Sequence, residues 1–132
     1  MTMDPDLPHQ VIGACMSVHH FLGAGLDREV YEECLALELR ELELVHERGL
    51  KLEFDYRGKR VKSAMRLDFV VGGELLVQVK SVGEVLDHDK LQMDTLLRLS
   101  GARTGLLVNF NVPVLRKGIH RVMLKRRDAP AG

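Results

Sequence analysis

The chain has 132 residues, 45% of them apolar and 29% charged, and its nineteen Lys and Arg balance nineteen Asp and Glu. That length supports one domain whose core needs neither disulfides nor a structural metal. A neutral balance argues against tight, non-specific adhesion to nucleic acid by the whole surface. With no Trp and six other aromatic residues, the core must be built from Leu, Val, Ile and Met.

Met1 to Pro8 is short and acidic, unlike a signal peptide, and no apolar run reaches membrane-spanning length, so no membrane partner is expected. Cys15 and Cys34 alone make no disulfide framework, which fits a reducing cytoplasm. Val11, Cys15, Val18 and Leu22 recur at helical spacing and predict a helix over Leu7 to Leu22, ended by Gly23-Ala24-Gly25. Asp27 is placed to cap a second helix running to about Glu47, with Tyr31, Leu35, Leu42 and Val45 as its apolar stripe and Gly49 closing it.

The period then changes. Leu50 to Tyr56 reads as a strand, Arg57-Gly58-Lys59 as a turn, Arg60 to Val71 as a second strand and Leu75 to Val82 as a third. Asp87 or Asp89 can cap a helix through Leu99, with Leu96 and Leu99 inward and Gly101 as its stop. Thr104 to Phe110 is apolar enough for a central strand covered on both faces, and Ile119 to Leu124 for an edge strand. Asp128 onwards is expected to be disordered. The helix between the third strand and Thr104–Phe110 is long enough to join parallel strands, so the fold class is α/β with a mixed sheet.

Charge is unevenly spread. Asp27 to Glu47 carries eight acids against Arg28 and Arg40, whereas Arg116 to Arg127 carries six bases and no acid. The acidic run suits a solvated helix face. The basic run is either a frayed tail or an edge that meets nucleic-acid phosphate.

Residues 66 to 82 hold the chemistry. Asp68 lies on one strand, and Gln78 and Lys80 share a face of the next. A two-residue turn at Gly72-Gly73 would set Asp68 opposite Val77 and separate the polar residues. A three-residue loop, Gly72-Gly73-Glu74 with a left-handed Gly, sets Asp68 opposite Gln78 and is the expected register. Phosphodiester hydrolysis needs a hard cation with oxygen ligands and a positioned water. Asp68 and Gln78 would be the metal ligands, and Lys80 would stabilise charge developing on phosphate, making Asp68, Gln78 and Lys80 the candidate catalytic set. Gln78 offers a carbonyl oxygen but no charge, which lowers metal affinity. The competing reading of Asp68 and Lys80 is an ion pair on a solvated sheet face.

Other signals are weaker. Cys15 and His19, with Cys34 or His46, could gather around zinc, but the spacing matches no zinc motif and Cys15 sits on the apolar stripe. His19 is expected to orient a loop or touch the candidate site and His20 to be solvated, while Met93 and Met123 suit core packing. Gly23-Ala24-Gly25 reads as a helix-linking turn more readily than a phosphate loop.

Across residues 8 to 124 the chain resembles the GxxExxY family, a branch of the PD-(D/E)XK nuclease-like superfamily. The matching stretches are Val11-Ile12-Gly13-Ala14, Val18-His19, Leu22-Gly23-Ala24-Gly25, Val30-Tyr31-Glu32-Glu33, Tyr56-Arg57-Gly58-Lys59, Asp68-Phe69, Val79-Lys80-Ser81-Val82, Gln92 and Gly105 to Phe110. The resemblance implies a restriction-endonuclease-like α/β/α core, Mg²⁺ or Mn²⁺ as cofactor if the site is active and none if it is not, and nucleic acid as partner. It leaves a homodimer open, dimers being common among nucleases of this fold.

The departures fall on functional positions. The glutamate that names the family is replaced by Arg28, the acid of the (D/E)XK element by Gln78, and the tyrosine four residues after Gln92 by Leu96. Tyr31, Asp68, Lys80 and Gln92 are kept, so Arg28, Glu32, Tyr31, His19 and Gln92 form an auxiliary set. Glu32 lies one helical turn beyond position 28 and is about 6 Å displaced along the axis, more than a magnesium site usually tolerates. Arg28 places positive charge where a cation should bind and is expected to pair with Asp68. Taken together, the resemblance implies a degenerate nuclease-like protein that binds nucleic acid or protein, the alternative being a metal-dependent phosphodiesterase acting on DNA or RNA.

Overall fold

The computed structural model describes residues 6–124. The bases at Lys125, Arg126 and Arg127 and the tail expected to be disordered lie outside the described residues. Helix α1, Leu7–Leu22, buries Val11, Cys15 and Val18 along its predicted stripe, and Gly23 leaves the helix at φ 72°. Helix α2, Arg28–Glu41, follows Asp27, which is extended but makes no side-chain capping bond.

The end of α2 differs from the sequence reading. Glu43 adopts φ 58° and the Leu44 N–H bonds Leu39 O, which closes the helix six residues earlier than Glu47. Leu42 and Val45 are therefore exposed, and the buried stripe is Tyr31, Glu32, Leu35, Ala36 and Leu39. Strand β1 begins at His46 and runs to Tyr56, because residues from His46 onwards find pairing partners on β2, Lys59–Val71. Gly49 thus sits inside a strand and does not cap a helix.

Strand β3, Leu75–Lys80, returns antiparallel to β2 through the loop Gly72-Gly73-Glu74. Gly72 and Gly73 take φ 61° and 70°, a backbone most side chains resist, so the paired glycines permit the three-residue connection. Helix α3, Asp87–Ser100, crosses to β4, Thr104–Asn109, which pairs parallel to β3 and is buried throughout. Gly105 of β4 leaves room for α3, since a Cβ there would meet the Met93 and Leu97 side chains. A 3₁₀ turn at Leu115–Gly118, not anticipated from sequence, leads into the edge strand β5, Ile119–Met123. Met123, expected in the core, is exposed on that edge.

The sheet order is β1-β2-β3-β4-β5, mixed, with α1 and α2 on one face and α3 on the other. On the first face Phe69, Val77, Val79 and Val108 pack beneath both helices, and Tyr31 stacks on Phe110 with ring centroids 4.6 Å apart. On the second, Leu52, Leu67, Leu76 and Leu107 pack against Met93, Leu96 and Leu97. Each such fully buried side chain contributes roughly 1.5–3 kcal/mol. Cys15 is fully buried in the first cluster, and burial pushes its thiol up to about 12. No group of three or more potential metal ligands occurs among the described residues, so Cys15, His19, Cys34 and His46 do not gather. No helix among them is long and apolar enough to cross a membrane.

Candidate functional site: a charged fork between two strands

β2 and β3 pair at Phe69–Val77, Val70–Leu76 and Val71–Leu75, and one further step of that register sets Asp68 opposite Gln78. There the strands part. β2 continues into its hairpin with β1, whereas β3 runs beside β4 to Lys80. Arg66, Asp68, Gln78 and Lys80 occupy the fork, with Arg28 of α2 and Gln92 of α3 closing a cleft of about 410 Å³.

Side chains replace the missing ladder bonds. The Asp68 N–H donates to Gln78 Oε1 at 2.6 Å, and Gln78 Nε2 donates to Arg66 O at 3.0 Å. The Val79 N–H donates to Asp68 Oδ2 at 2.8 Å. A primary amide supplies both an acceptor and a donor, and that is what the two backbone groups of β2 require. A carboxylate at position 78 could accept from Asp68 but could not donate to Arg66 O.

Two buried carboxylates meet two arginines at the mouth of the fork. Asp68 is 2% exposed and Glu32 1%. Nη1 of Arg28 lies 3.5 Å from Asp68 Oδ1 and 3.4 Å from Glu32 Oε2. Nη2 of Arg66 donates to Glu32 Oε1 at 2.8 Å, and its Nε is 3.8 Å from Asp68 Oδ1. Glu32, one helical turn beyond Arg28, is thus joined to Asp68 through a shared guanidinium nitrogen of Arg28. Oε2 of Glu32 touches that nitrogen as a charge contact without hydrogen-bond geometry. Burial pushes Asp68 above the usual carboxylate range, opposed by the Val79 N–H bond, Arg28, Arg66 and Lys80. Burial and then the Asp68 charge push Glu32 up, opposed by Arg66, Arg28 and Arg48.

Lys80 does not pair with Asp68. Its Nζ lies 3.3 Å from Asp89 Oδ1 at the start of α3, and Asp89 Oδ2 also accepts the Leu86 N–H at 2.8 Å. The Leu86 bond first, and Lys80 after it, hold Asp89 below its usual value. The solvated ion-pair reading of Asp68 and Lys80 fails, since Asp68 is buried and Lys80 has another partner.

Two auxiliary residues lie elsewhere. His19 Nε2 bonds Val112 O at 2.8 Å and so orients the loop after β4, while His20 is exposed. The Tyr31 hydroxyl donates to Gly23 O at 2.6 Å and accepts the Leu26 N–H at 3.2 Å, tying down the α1–α2 turn. Arg66 and Asp89 were not among the expected site residues. Arg66 was legible as two positions from Asp68 on one strand face. Asp89 was legible only as a helix cap.

A divalent cation does not fit the donor set in this arrangement. Asp68 Oδ2 and Gln78 Oε1 are taken by backbone N–H groups. The remaining oxygens, Asp68 Oδ1 and Glu32 Oε2, face the Arg28 nitrogen, whereas magnesium demands near-octahedral oxygen.

A mixed five-stranded sheet between helices, with ionisable residues gathered where two strands part, defines a restriction-endonuclease-like α/β/α fold. The model of the PD-(D/E)XK nuclease superfamily matches residues 5–122, and the chain belongs to that superfamily. No match to a curated protein was found. Among solved structures the chain is similar to that in the crystal structure of SSO0001, at 19% identity and a TM-score of 0.49, with 96% of this chain and 59% of that one covered. The chain thus spans less than two thirds of that protein's length.

Proposed function

We propose that this chain is a member of the GxxExxY branch in which phosphodiester hydrolysis is impaired and the fold serves as a nucleic-acid-binding module. One observation carries the reading. The Arg28 nitrogen stands between Glu32 and Asp68, the place a catalytic cation would have to take. A guanidinium neutralises both carboxylates but can neither accept a water as ligand nor lower its pKa. Gln78 adds no charge, its amide being spent on the β2 backbone.

A second reading is a magnesium- or manganese-dependent nuclease using Asp68, Gln78 and Lys80, with Glu32 as helper. It is favoured by the exposure of Arg28, whose side chain is 39% accessible, so that outward rotation would leave two carboxylates facing one cation position.

The two readings separate in a nuclease assay with Mg²⁺ and Mn²⁺ on linear, nicked and single-stranded DNA and on RNA. Wild type, Lys80→Ala and the double variant Arg28→Glu/Gln78→Glu are compared. The impaired reading expects no cleavage by wild type and supports cleavage only by the double variant. Cleavage by wild type that Lys80→Ala abolishes would overturn it.

A further inference from the structure

The β1–β2 hairpin outruns the rest of the sheet. β2 pairs with β3 only as far as Phe69, yet β1 and β2 remain paired to Tyr56–Lys59. Between Lys51 and Glu53 the register shifts, β2 inserting two extra residues, an irregularity of the kind that locally bends and twists a ribbon. The tip is a two-residue turn, Arg57-Gly58, both at positive φ, whose twist matches that of the strands it joins.

The two faces of this ribbon differ. Leu52, Phe54 and Met65 lean on α3. Strand alternation puts Lys51, Arg60 and Lys62 on the opposite face, and Arg57 and Lys59 at the tip beside Tyr56, which is 64% exposed. Residues 51 to 62 hold five bases and two acids, Glu53 and Asp55. Both acids bind the same base, Arg60, at 3.7 and 3.3 Å. Among the described residues Lys51, Arg57, Lys59 and Lys62 have no carboxylate within ion-pair distance. A chain of zero net charge has thus set four unneutralised cations on one narrow projection, beside the fork that holds Asp68 and Lys80.

We propose that the distal β1–β2 hairpin, residues 51–62, lies in the major groove of duplex DNA and clamps its phosphates through Lys51, Arg57, Lys59 and Lys62. This rests on the nucleic-acid reading above and names the surface that executes it. Two strands about 4.8 Å apart, with side chains, suit a groove about 12 Å wide. Four paired residues per strand at about 3.3 Å each reach roughly 13 Å along it. The deep, narrow major groove of duplex RNA excludes such a ribbon, so the geometry favours DNA.

The test is fluorescence anisotropy with a short DNA duplex, the matching RNA duplex and single-stranded DNA, titrated between about 50 and 200 mM salt. The variant Lys51→Gln/Arg57→Asn/Lys59→Gln/Lys62→Gln removes all four charges, and Asn at position 57 tolerates the positive φ. Wild type should prefer the DNA duplex. In the variant the slope of log affinity against log salt should fall by about 3 to 4, with affinity down at least about tenfold at low salt. Asp55→Asn, which removes one of the two carboxylates on Arg60 and one negative charge from the ribbon, should tighten binding and steepen the slope, and it reports even if the fourfold variant misfolds. Unchanged affinity and slope in a folded fourfold variant, or no gain in Asp55→Asn, overturns the ribbon while leaving the nucleic-acid reading standing. Preference for RNA or single strands overturns the groove assignment. Failure of wild type to bind any nucleic acid overturns both.

Discussion

Gln78 and Asp68 face each other across the point where β2 and β3 separate, and each uses its side chain to bond the other strand's backbone. Gln78 Oε1 accepts the Asp68 N–H at 2.6 Å, and Asp68 Oδ2 accepts the Val79 N–H at 2.8 Å. The fork is therefore closed by a crossed pair of polar side chains, and the residue standing where a second acid is expected works as a strut.

From this follows the cost of restoring the acid. Gln78→Glu leaves Arg66 O without its donor and adds a third carboxylate beside Asp68 and Glu32. Stability should drop by about 1–3 kcal/mol at neutral pH, read from urea unfolding. An unchanged midpoint would show that the strut contributes nothing.

The four-charge cluster predicts a ranking of arginines. Arg66 holds the buried Glu32 at 2.8 Å, whereas Arg48 meets the exposed Glu33 at 3.4 Å. Arg66 is itself 40% exposed, so solvent screening reduces the loss expected of a fully buried pair. Arg66→Met should cost about 1–3 kcal/mol and Arg48→Met under about 1. Equal losses on thermal unfolding would contradict the burial argument.

Both raised carboxylates make stability depend on pH in an unusual sense. Glu32 and Asp68 bind protons more tightly folded than unfolded, so between their usual and raised values the native state carries more protons. Their contribution is present below the usual value and is lost as pH rises through the raised one. Glu32→Gln removes its share, and the difference in stability between wild type and variant should therefore move against wild type as pH increases above about 4.5. Melting temperatures across the mildly acidic range give the answer, a pH-independent difference being the contrary result.

Asp89 behaves oppositely. Held below its usual 3.8 by the Leu86 N–H and by Lys80, it stabilises the start of α3 above that value and loses the effect as pH falls through the lowered one. Asp89→Ala should cost about 1 kcal/mol at pH 7 and progressively less on acidification below 3.8. Helix content and unfolding midpoints at the two extremes measure it.

Tyr31→Phe keeps the stack on Phe110 and deletes a hydroxyl that serves both Gly23 O and the Leu26 N–H. A loss of about 1 kcal/mol is expected. Faster hydrogen exchange at Leu26 would locate it in the α1–α2 turn.

Periodicity alone determined most of the architecture. Strict spacing in Leu7–Leu22, the paired glycines at 72 and 73 and the unbroken apolar run into Asn109 each report on local backbone or burial, which short-range patterns encode. The same local logic misplaced the end of α2, because Leu42 and Val45 continue a helical spacing while the chain has already turned to pair His46 with Val71. That decision belongs to a partner strand lying twenty-five residues downstream.

The sequence by itself determined the mixed sheet and pointed to the Asp68–Gln78 register. Only the tertiary structure decided what those residues touch. Electrostatic partners are chosen by distance in space, and α2 brings Glu32 to the same guanidinium nitrogen that Asp68 reaches from β2. Likewise, α3 carries Asp89 to Lys80, and the parting of two strands turns Gln78 onto the backbone, because buried N–H and C=O groups must be satisfied by whatever polar atom lies within reach.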